Sequence, residues 1–301
     1  MRSVILIFLD GVGIGKREKS NPFFNGDFYF AEKLFGISPS LETPYLKNND
    51  GMFVFPSDAT LGIGGLPQSG TGQTAIFCGE NASEIVGKHF GPFPHSKLLP
   101  VLEEKNIYNE LKQLGLTFTF ANAYPPRFFK YLAKGHTRTA ATTKAALFAG
   151  LKLNGIDELK KGMALSHEID NSRLKNKLNL PVEVISPEES AENLIKLGEK
   201  LNFVFYEYFL TDHWGHGREK NFYKYGIQVL NKFLLSTIRK LTENQTLIIC
   251  SDHGNFEDLN TKSHTINPSF TFVAGKDAKQ FANEVKSISD IKEAVKNLLI
   301  E

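Results

Sequence analysis

Five short runs of β-branched and aromatic residues limit what this chain can fold into more than any other feature. They cover residues 4–9, 116–121, 203–210, 246–250 and 270–274. Their apolar character is continuous rather than alternating, which is typical of strands that are covered on both faces, as in a parallel sheet. The runs therefore predict the buried strands of an α/β protein.

Helical patterns fall between these runs. Ser-Pro-Glu-Glu at 186–189 offers an N-cap serine, a proline at the first helical position and a glutamate for a capping box, so a helix is predicted from there to about Lys200. A second pattern, over about 221–241, places apolar residues at helical spacing. Helices alternating with buried strands predict a three-layer α/β/α sandwich with a mostly parallel central sheet.

One stretch, residues 127–184, lacks strand patterns and holds 11 Lys or Arg against five Asp or Glu. We predict that it forms a small basic cap or lid inserted into a core of residues 1–126 and 185–301. The excess of positive charge fits either a solvated helical insert or a cap that closes over an anionic substrate.

The overall charge favours no large charged partner. The chain has 35 basic and 33 acidic residues, a net charge of +2, so neither nucleic acid nor a membrane is expected as a partner. Cys78 and Cys250 lie far apart in apolar runs, which indicates neither a disulfide framework nor a cysteine metal site and favours the cytoplasm. No apolar run reaches the roughly 20 residues of a membrane-spanning helix. The sequence leaves the oligomeric state open.

Carboxylates and imidazoles follow three of the predicted strands. Because ligands of an open α/β sheet collect at the carboxyl ends of its strands, we expect these side chains to face one crevice. Carboxylate oxygens and imidazole nitrogens suit zinc, manganese or a similar divalent ion, and six ligands could furnish two sites. The six are Asp10, Asp212, His216, Asp252, His253 and His264.

A nucleophile candidate lies in the glycine-rich segment Gly-Leu-Pro-Gln-Ser-Gly-Thr-Gly-Gln-Thr-Ala at 65–75. This segment leads into a helix that is predicted to begin near Thr71. The free N–H groups and the dipole of a helix N-terminus favour an alkoxide or a phosphate. Ser69 and Thr71 both have the chemistry of a nucleophile, although a glycine-rich turn capped by Ser or Thr would have the same sequence.

These motifs carry a specific resemblance. Ser-Asp-His-Gly-Asn-Phe-Glu at 251–257, followed by His-Thr-Ile-Asn-Pro at 264–268, closely resembles the metal-binding end of cofactor-independent phosphoglycerate mutases. Asp-x-x-Gly-His at 212–216 is similar to a hallmark of the wider alkaline phosphatase superfamily, and Leu-Asp-Gly at 9–11 matches too. The resemblance covers about residues 1–90 and 186–275 and implies phosphoryl transfer assisted by two divalent metal ions, with zinc or manganese expected.

The resemblance also implies individual roles. Gln-Ser-Gly-Thr-Gly-Gln aligns with the mutase motif Asn-Ser-Glu-Val-Gly-His, so Ser69 matches the serine that becomes phosphorylated. The implied ligands are Asp10, Ser69, Asp252 and His253 for one metal, and Asp212, His216 and His264 for the other.

Departures from the mutase pattern bear on the reaction. Gly70 and Gln73 replace the Glu and His of the motif, and the chain is much shorter than the mutases. We therefore favour a phosphohydrolase or phosphodiesterase acting on a small anionic phosphate ester, with Arg127 and Arg138 as candidate anion clamps. The alternatives are a phosphomutase and a catalytically inactive relative.

The chain lacks the Pro and Arg signature of sulfatases, and the spacing of Gly11 to Lys16 does not fit a nucleotide phosphate loop.

Overall fold

The computed structural model describes residues 1–300, in which a seven-stranded sheet lies between two layers of helices. The strands are β1 (Ser3–Leu9), β2 (Leu46–Lys47), β3 (Phe53–Ser57), β4 (Phe118–Phe120), β5 (Phe203–Tyr208), β6 (Gln245–Cys250) and β7 (Ser269–Gly275). Their order across the sheet is β2-β3-β7-β6-β1-β5-β4.

The five apolar runs all form strands, which confirms the predicted sheet. β6, β1, β5 and β4 are parallel neighbours, whereas β7 runs antiparallel to β6. The sequence could not indicate the direction of β7, because β7 is covered on both faces like its parallel neighbours. The prediction missed β2 and β3, at the sheet edge, where β3 contains Pro56 and is only partly buried.

The helices cover both faces of the sheet and are numbered along the chain. They are α1 (Phe30–Phe35), α2 (Ser69–Cys78), α3 (Ala82–Val86), α4 (Leu99–Glu104), α5 (Ile107–Gln113), α6 (Pro126–Ala133), α7 (Ala141–Phe148), α8 (Ile156–Lys160), α9 (Ser172–Asn176), α10 (Pro187–Lys200), α11 (Leu210–Gly215), α12 (Lys220–Arg239), α13 (Ala278–Glu284) and α14 (Ile291–Ile300). Within residues 1–300, no helix is both long enough and apolar enough to cross a membrane.

Alternate side chains of β1 show how the three layers are built. Val4, Leu6 and Phe8 pack into one apolar cluster with α2, α4, α5, α7, α13 and α14. The intervening residues of β1 pack into a second cluster, on the other face, with α1, α10 and α12. This arrangement confirms the predicted α/β/α sandwich.

The two helices predicted from local patterns are confirmed. Ser186 caps α10 by accepting a hydrogen bond from the Glu189 N–H at 3.1 Å, and α10 ends at Lys200. α12 spans Lys220–Arg239 and buries its apolar face against the sheet and α10.

Residues 127–184 form short helices with two packing environments. α7 buries Ala141, Ala145 and Ala146 in the same cluster as α2 and α4. Further along, Leu159 and Leu174 belong to a separate small apolar cluster. The boundaries of a cap at 127–184 stay a prediction.

Candidate metal centre

The order of the strands brings the predicted ligands to one edge of the sheet. β6, β1 and β5 are adjacent and parallel, so their carboxyl ends share that edge. Asp10 directly follows β1, Asp252 follows β6, and Asp212 lies in α11 just after β5. His264 precedes β7, and because β7 is antiparallel to β6, it starts where β6 ends. The direction of β7 is therefore what brings His264 to the other ligands.

Asp10, Asp252 and His253 form the first group of metal-ligating side chains. One ligand atom from each lies within 4.8 Å of the others. His253 Nε2 is 3.4 Å from Asp10 Oδ1 and 3.5 Å from Asp252 Oδ2. Ser69 Oγ is 3.0 Å from the same nitrogen. The structure thus brings together the four side chains that the resemblance assigns to one metal.

Asp212, His253 and His264 form a second group, also within 4.8 Å of one another. His216 joins them, because its Nε2 lies 3.3 Å from Asp212 Oδ1 and 3.2 Å from His264 Nε2. The rings of His253 and His264 are stacked with centroids 3.8 Å apart. His253 thus lies between the two groups, although the resemblance assigns it to one metal only.

The three histidines share one orientation, with Nδ1 against a backbone carbonyl. A carbonyl only accepts, so each Nδ1 carries a proton, and the lone pair of each neutral ring is on the Nε2 atom that faces the centre. Histidines that bind metals are typically oriented in this way. The Nδ1 atoms of His216, His264 and His253 are 2.9, 2.6 and 3.3 Å from the carbonyl oxygens of Lys262, Pro67 and Gly254, respectively.

The carboxylates of the first group are buried and poor in donors. Asp252 is completely buried, and burial raises its pKa to about 7. Burial and the neighbouring Asp252 charge raise the pKa of Asp10 well above its usual value. Among residues 1–300, Asp10 Oδ1 and Asp252 Oδ2 have no hydrogen-bond partner. Convergent carboxylate oxygens and imidazole lone pairs fit divalent cations, which would neutralise the buried charge.

Glu257 holds the loops of this centre together, and its role was missed in the sequence although it lies inside a quoted motif. Its carboxylate is buried and accepts hydrogen bonds from the Gly13 N–H at 3.0 Å and the Asn255 N–H at 2.7 Å. It also accepts from Thr265 Oγ1 and, at 3.0 Å, from Asn267 Nδ2. One side chain therefore connects the loops after β1, after β6 and before β7.

Ser69 is the first residue of α2, which begins two residues earlier than predicted. Two glycines allow the helix start to approach the centre closely. A Cβ on Gly70 would lie 2.3 Å from the Phe93 carbonyl oxygen, and one on Gly72 would lie 2.8 Å from that of Asp252. The glycines of this segment therefore set the position of Ser69.

Thr71, the other nucleophile candidate, is hydrogen-bonded to backbone groups outside the centre. Its hydroxyl donates to the Gln68 carbonyl at 3.0 Å and accepts from the Phe90 N–H at 3.3 Å. Its own N–H donates to the Phe90 carbonyl at 2.9 Å, so this N–H is not available to a phosphate. The geometry favours Ser69, which lines an open cavity, over the buried Thr71.

This cavity has a volume of about 710 Å³ and is lined by Ser69 together with Asp10 and Asp212. Arg127, in the first turn of α6, and Arg138, which follows α6, line it as well. The structure therefore brings both predicted clamp residues to the cavity that contains the nucleophile candidate.

Several further polar residues line the cavity without an assigned role in the sequence, among them Arg218, Glu207 and Gln73. Arg218 lies two residues after His216, and that proximity was a signal. Glu207 lies in β5; burial raises its pKa to about 7, and its Oε2 accepts from Thr142 Oγ1 at 3.0 Å. Gln73, which replaces the histidine of the mutase motif, has a buried Oε1 without a partner among residues 1–300.

Comparisons with known proteins agree with this architecture. A family model described as the metalloenzyme superfamily matches residues 2–300. Among solved structures, the PH0037 protein from Pyrococcus horikoshii is similar with a TM-score of 0.55 and 13% identity, over 99% of this chain and 97% of that one. A cold-active alkaline phosphatase from the psychrophile Shewanella sp. has a TM-score of 0.52 and 12% identity, over 98% of this chain and 100% of that one.

A phosphoglycerate mutase from Leishmania mexicana matches less of the fold. Its TM-score is 0.40 at 16% identity, over 65% of this chain and 37% of that one. No curated protein sequence matches the chain significantly. At 12–13% identity, the likeness to the Pyrococcus horikoshii and Shewanella structures shows a shared fold.

Proposed function

The chain belongs to the metalloenzyme superfamily, and from this premise we propose that it is a phosphohydrolase or phosphodiesterase with Ser69 as nucleophile. The superfamily contains metal-dependent phosphoryl-transfer enzymes. One observation carries the finer proposal: Ser69 Oγ lies 3.0 Å from His253 Nε2, beside the Asp10 and Asp252 carboxylates, and lines the cavity.

Carboxylates and imidazoles would hold two divalent ions, for which we propose zinc or manganese because both accept this mixture of oxygen and nitrogen ligands. Bound ions would supply positive charge that stabilises phosphoryl oxygens and lowers the pKa of a coordinated hydroxyl. The proposed ligands are Asp10, Ser69, Asp252 and His253 for one ion, and Asp212, His216 and His264 for the other.

In the proposed reaction, Ser69 Oγ forms a bond to the phosphorus while the bond from phosphorus to the alcohol oxygen of the ester breaks. Arg127, Arg138 and Arg218 line the cavity and form no ion pair within residues 1–300, so their guanidinium groups are free to donate to the anionic ester. Water then attacks the phosphorus of the serine-bound intermediate and breaks its bond to Ser69 Oγ. The serine hydroxyl is re-formed, and a monoester substrate yields inorganic phosphate whereas a diester yields a phosphate monoester.

The identity of the final acceptor separates a hydrolase from a phosphomutase. Arg127 and Arg138 are exposed to solvent although they line the cavity, so water has access to it. Gly70 and Gln73 also stand where the mutases have Glu and His. Both observations support water as the acceptor.

An assay of the metal-loaded protein on 4-nitrophenyl phosphate and bis(4-nitrophenyl) phosphate tests this proposal. We expect release of 4-nitrophenol, and of free phosphate from the monoester, with a loss of roughly 1,000-fold or more in Ser69→Ala. Thr71→Val is the matched control and should keep most of the activity. Full activity in Ser69→Ala together with loss in Thr71→Val would assign the nucleophile to Thr71.

The mutase alternative has a different readout. A phosphomutase would move the phosphoryl group between positions of its substrate without releasing phosphate. Absence of both release and transfer with either metal would indicate the catalytically inactive relative.

We also propose a reducing cytoplasm as the site of action, with a small phosphate ester rather than nucleic acid or a membrane as partner. Cys78 and Cys250 are buried and free, which supports a compartment where thiols stay reduced.

A further inference from the structure

One wall of the cavity consists of ring side chains that phosphoryl transfer does not require. Tyr131, Phe128, Tyr124, His167 and Phe209 all line it. Consecutive ring centroids in this series are 6.3, 4.3, 5.2 and 5.2 Å apart. These five residues form a continuous surface, here called the aromatic wall, next to Ser69.

The aromatic wall is not simply part of the apolar core. Phe128, Tyr131, His167 and Phe209 are only partly buried, and their remaining exposure is compatible with the cavity that they line. Phe128 and Tyr124 are nearly parallel, with 23° between their ring planes. Aromatic surface that lines a concave site is typical of pockets that bind flat or apolar ligand groups.

His167 gives the aromatic wall one defined polar atom. Asn122 Oδ1 accepts from the Glu207 N–H at 2.8 Å, and Asn122 Nδ2 donates to the Glu207 carbonyl at 2.8 Å. These backbone partners fix which end of the Asn122 amide is nitrogen. That nitrogen lies 2.9 Å from His167 Nδ1 and must donate to it, so Nδ1 is an acceptor.

The neutral imidazole must then carry its proton on Nε2. Burial lowers the pKa of His167 to about 4, so the ring is neutral near pH 7. Within residues 1–300, Nε2 has no hydrogen-bond partner. Among the five rings of the aromatic wall, the fold therefore holds one ring N–H donor, His167 Nε2–H, in one tautomer.

We propose that the aromatic wall binds a flat heteroaromatic group of the substrate and that His167 Nε2–H donates to a ring nitrogen or carbonyl oxygen of that group. This inference rests on the proposed function, because it places the phosphate of the same molecule at Ser69. The Arg138 guanidinium lies over the Phe93 ring, 4.7 Å from its centroid, and both residues line the cavity, so a cation lies beside the wall. A nucleoside phosphate has the required combination of phosphate, flat ring and acceptors.

Other ester classes satisfy only part of the site. An alkyl chain would cover the rings but leave the His167 donor without an acceptor in a desolvated pocket, which is unfavourable. A small polyol phosphate would reach the centre at Ser69 but leave the rings in contact with water. The combination of rings and donor therefore selects for an acceptor-bearing ring.

Equilibrium binding to metal-loaded Ser69→Ala tests the inference without turnover. Calorimetric titration would compare uridine 5′-monophosphate with ribose 5-phosphate, which lacks the ring, and with benzyl phosphate, whose ring has no acceptor. We expect the uridine compound to bind about tenfold more tightly than either of the other two. Equal affinity for uridine 5′-monophosphate and ribose 5-phosphate would overturn the inference.

Variants of the aromatic wall separate the contribution of the His167 donor from that of the aromatic rings. In the Ser69→Ala background, His167→Phe should abolish the advantage of uridine 5′-monophosphate over benzyl phosphate, whereas His167→Gln, which keeps an N–H donor, should restore part of it. Phe128→Ala should weaken both ring compounds and leave ribose 5-phosphate unchanged. An unchanged affinity ratio in both His167 variants would show that His167 is not the donor.

Different results would overturn this inference and the proposed function. Turnover of esters without a preference for rings in binding would overturn the inference alone. Absence of any ester turnover by the metal-loaded wild-type protein would overturn the proposed function, whereas the affinities measured with Ser69→Ala would still decide whether the wall binds a heteroaromatic ring.

Discussion

At the scale of single residues, the centre is defined by acceptor atoms that converge with few donors among them. Asp10 Oδ1 and Asp252 Oδ2 have no hydrogen-bond partner within residues 1–300, although Asp252 Oδ1 accepts from the Gly11 N–H at 3.3 Å. Nε2 of His216 and of His264 are 3.2 Å apart, and each has its proton on the other ring nitrogen. Asp252 is completely buried, and burial raises its pKa. Such groups repel one another until a cation is present, so the same residues that bind metal should destabilise the metal-free fold.

Asp252→Asn should therefore raise the stability of the metal-free protein and lower that of the metal-loaded protein. In chelated protein at pH 8, above the raised pKa of about 7, the substitution removes a buried charge and should raise the thermal midpoint by roughly 2–6 °C. In metal-loaded protein it removes a ligand and should lower the midpoint. Differential scanning fluorimetry with and without chelator measures both shifts.

The direction of the expected change in the metal-free protein follows from proton linkage. A carboxyl group with a raised pKa in the folded state contributes stability at low pH, which is lost as the pH rises through about 7. The gain in chelated Asp252→Asn should hence shrink as the pH falls below about 7 and disappear only below the ordinary aspartate pKa of about 4. The exposed control Asp50→Asn should change neither state, and a lower midpoint for Asp252→Asn in both states at pH 8 would contradict the account.

At the scale of elements, the start of α2 is the most constrained segment of the centre. Gly70 faces the Phe93 carbonyl and Gly72 faces the Asp252 carbonyl, so backbone approaches backbone on both sides. Backbone atoms cannot move away as the end of a flexible side chain can. The position of Ser69 thus depends on two residues that have no side chains.

Gly70→Ala should displace the helix start, because the new Cβ would lie 2.3 Å from the Phe93 carbonyl oxygen. We expect a loss of about 1–3 kcal/mol in the free energy of unfolding from overpacking. A fall in kcat larger than any change in KM should accompany it, since Ser69 moves relative to His253. Urea denaturation and steady-state kinetics measure the two effects.

Gly64→Ala is the matched control, because no atom lies within 4 Å of a Cβ built there. It should leave stability and kcat within error of wild type. Equal effects of the two substitutions would show that the close approach at Gly70 is not what positions the helix.

At the scale of the whole molecule, the centre joins parts of the chain that are distant in sequence. Asp10, Asp212, Asp252 and His264 come from the ends of β1, β5 and β6 and from the start of β7. Glu257 connects three of these loops by hydrogen bonds. Metal ions bound there would tie the loops to one another at a single edge of the sheet.

Metal binding should therefore stabilise the whole fold and slow hydrogen exchange mainly at the edge of the sheet where the ligands lie. At a free metal concentration 100 times the dissociation constant, the expected gain is about 2.7 kcal/mol. Hydrogen exchange should slow on metal addition in residues 10–13, 212–217 and 252–267, whereas the middle of α12 should change little. An identical exchange pattern in chelated and metal-loaded protein would contradict a metal centre built from these loops.

The sequence by itself determined the buried strands, the capped start of α10 and the identities of the metal-ligand candidates. Each of these depends on a local property: continuous apolarity for burial on both faces, a serine and proline for a helix start, and acidic or imidazole side chains directly after a strand. The order of the motifs along the chain also indicated the superfamily. Motif order can be recognised from the sequence without knowing how the segments are arranged in space.

Only the tertiary structure decided how these parts face one another. The direction of β7 brings His264 to the edge, His253 lies between both ligand groups, and Asn122 fixes the tautomer of His167. β3 and the role of Glu257 also became evident only there. The physical reason is that strand direction, backbone approach and hydrogen-bond partners depend on contacts between residues far apart in sequence, which a local pattern of side chains does not record.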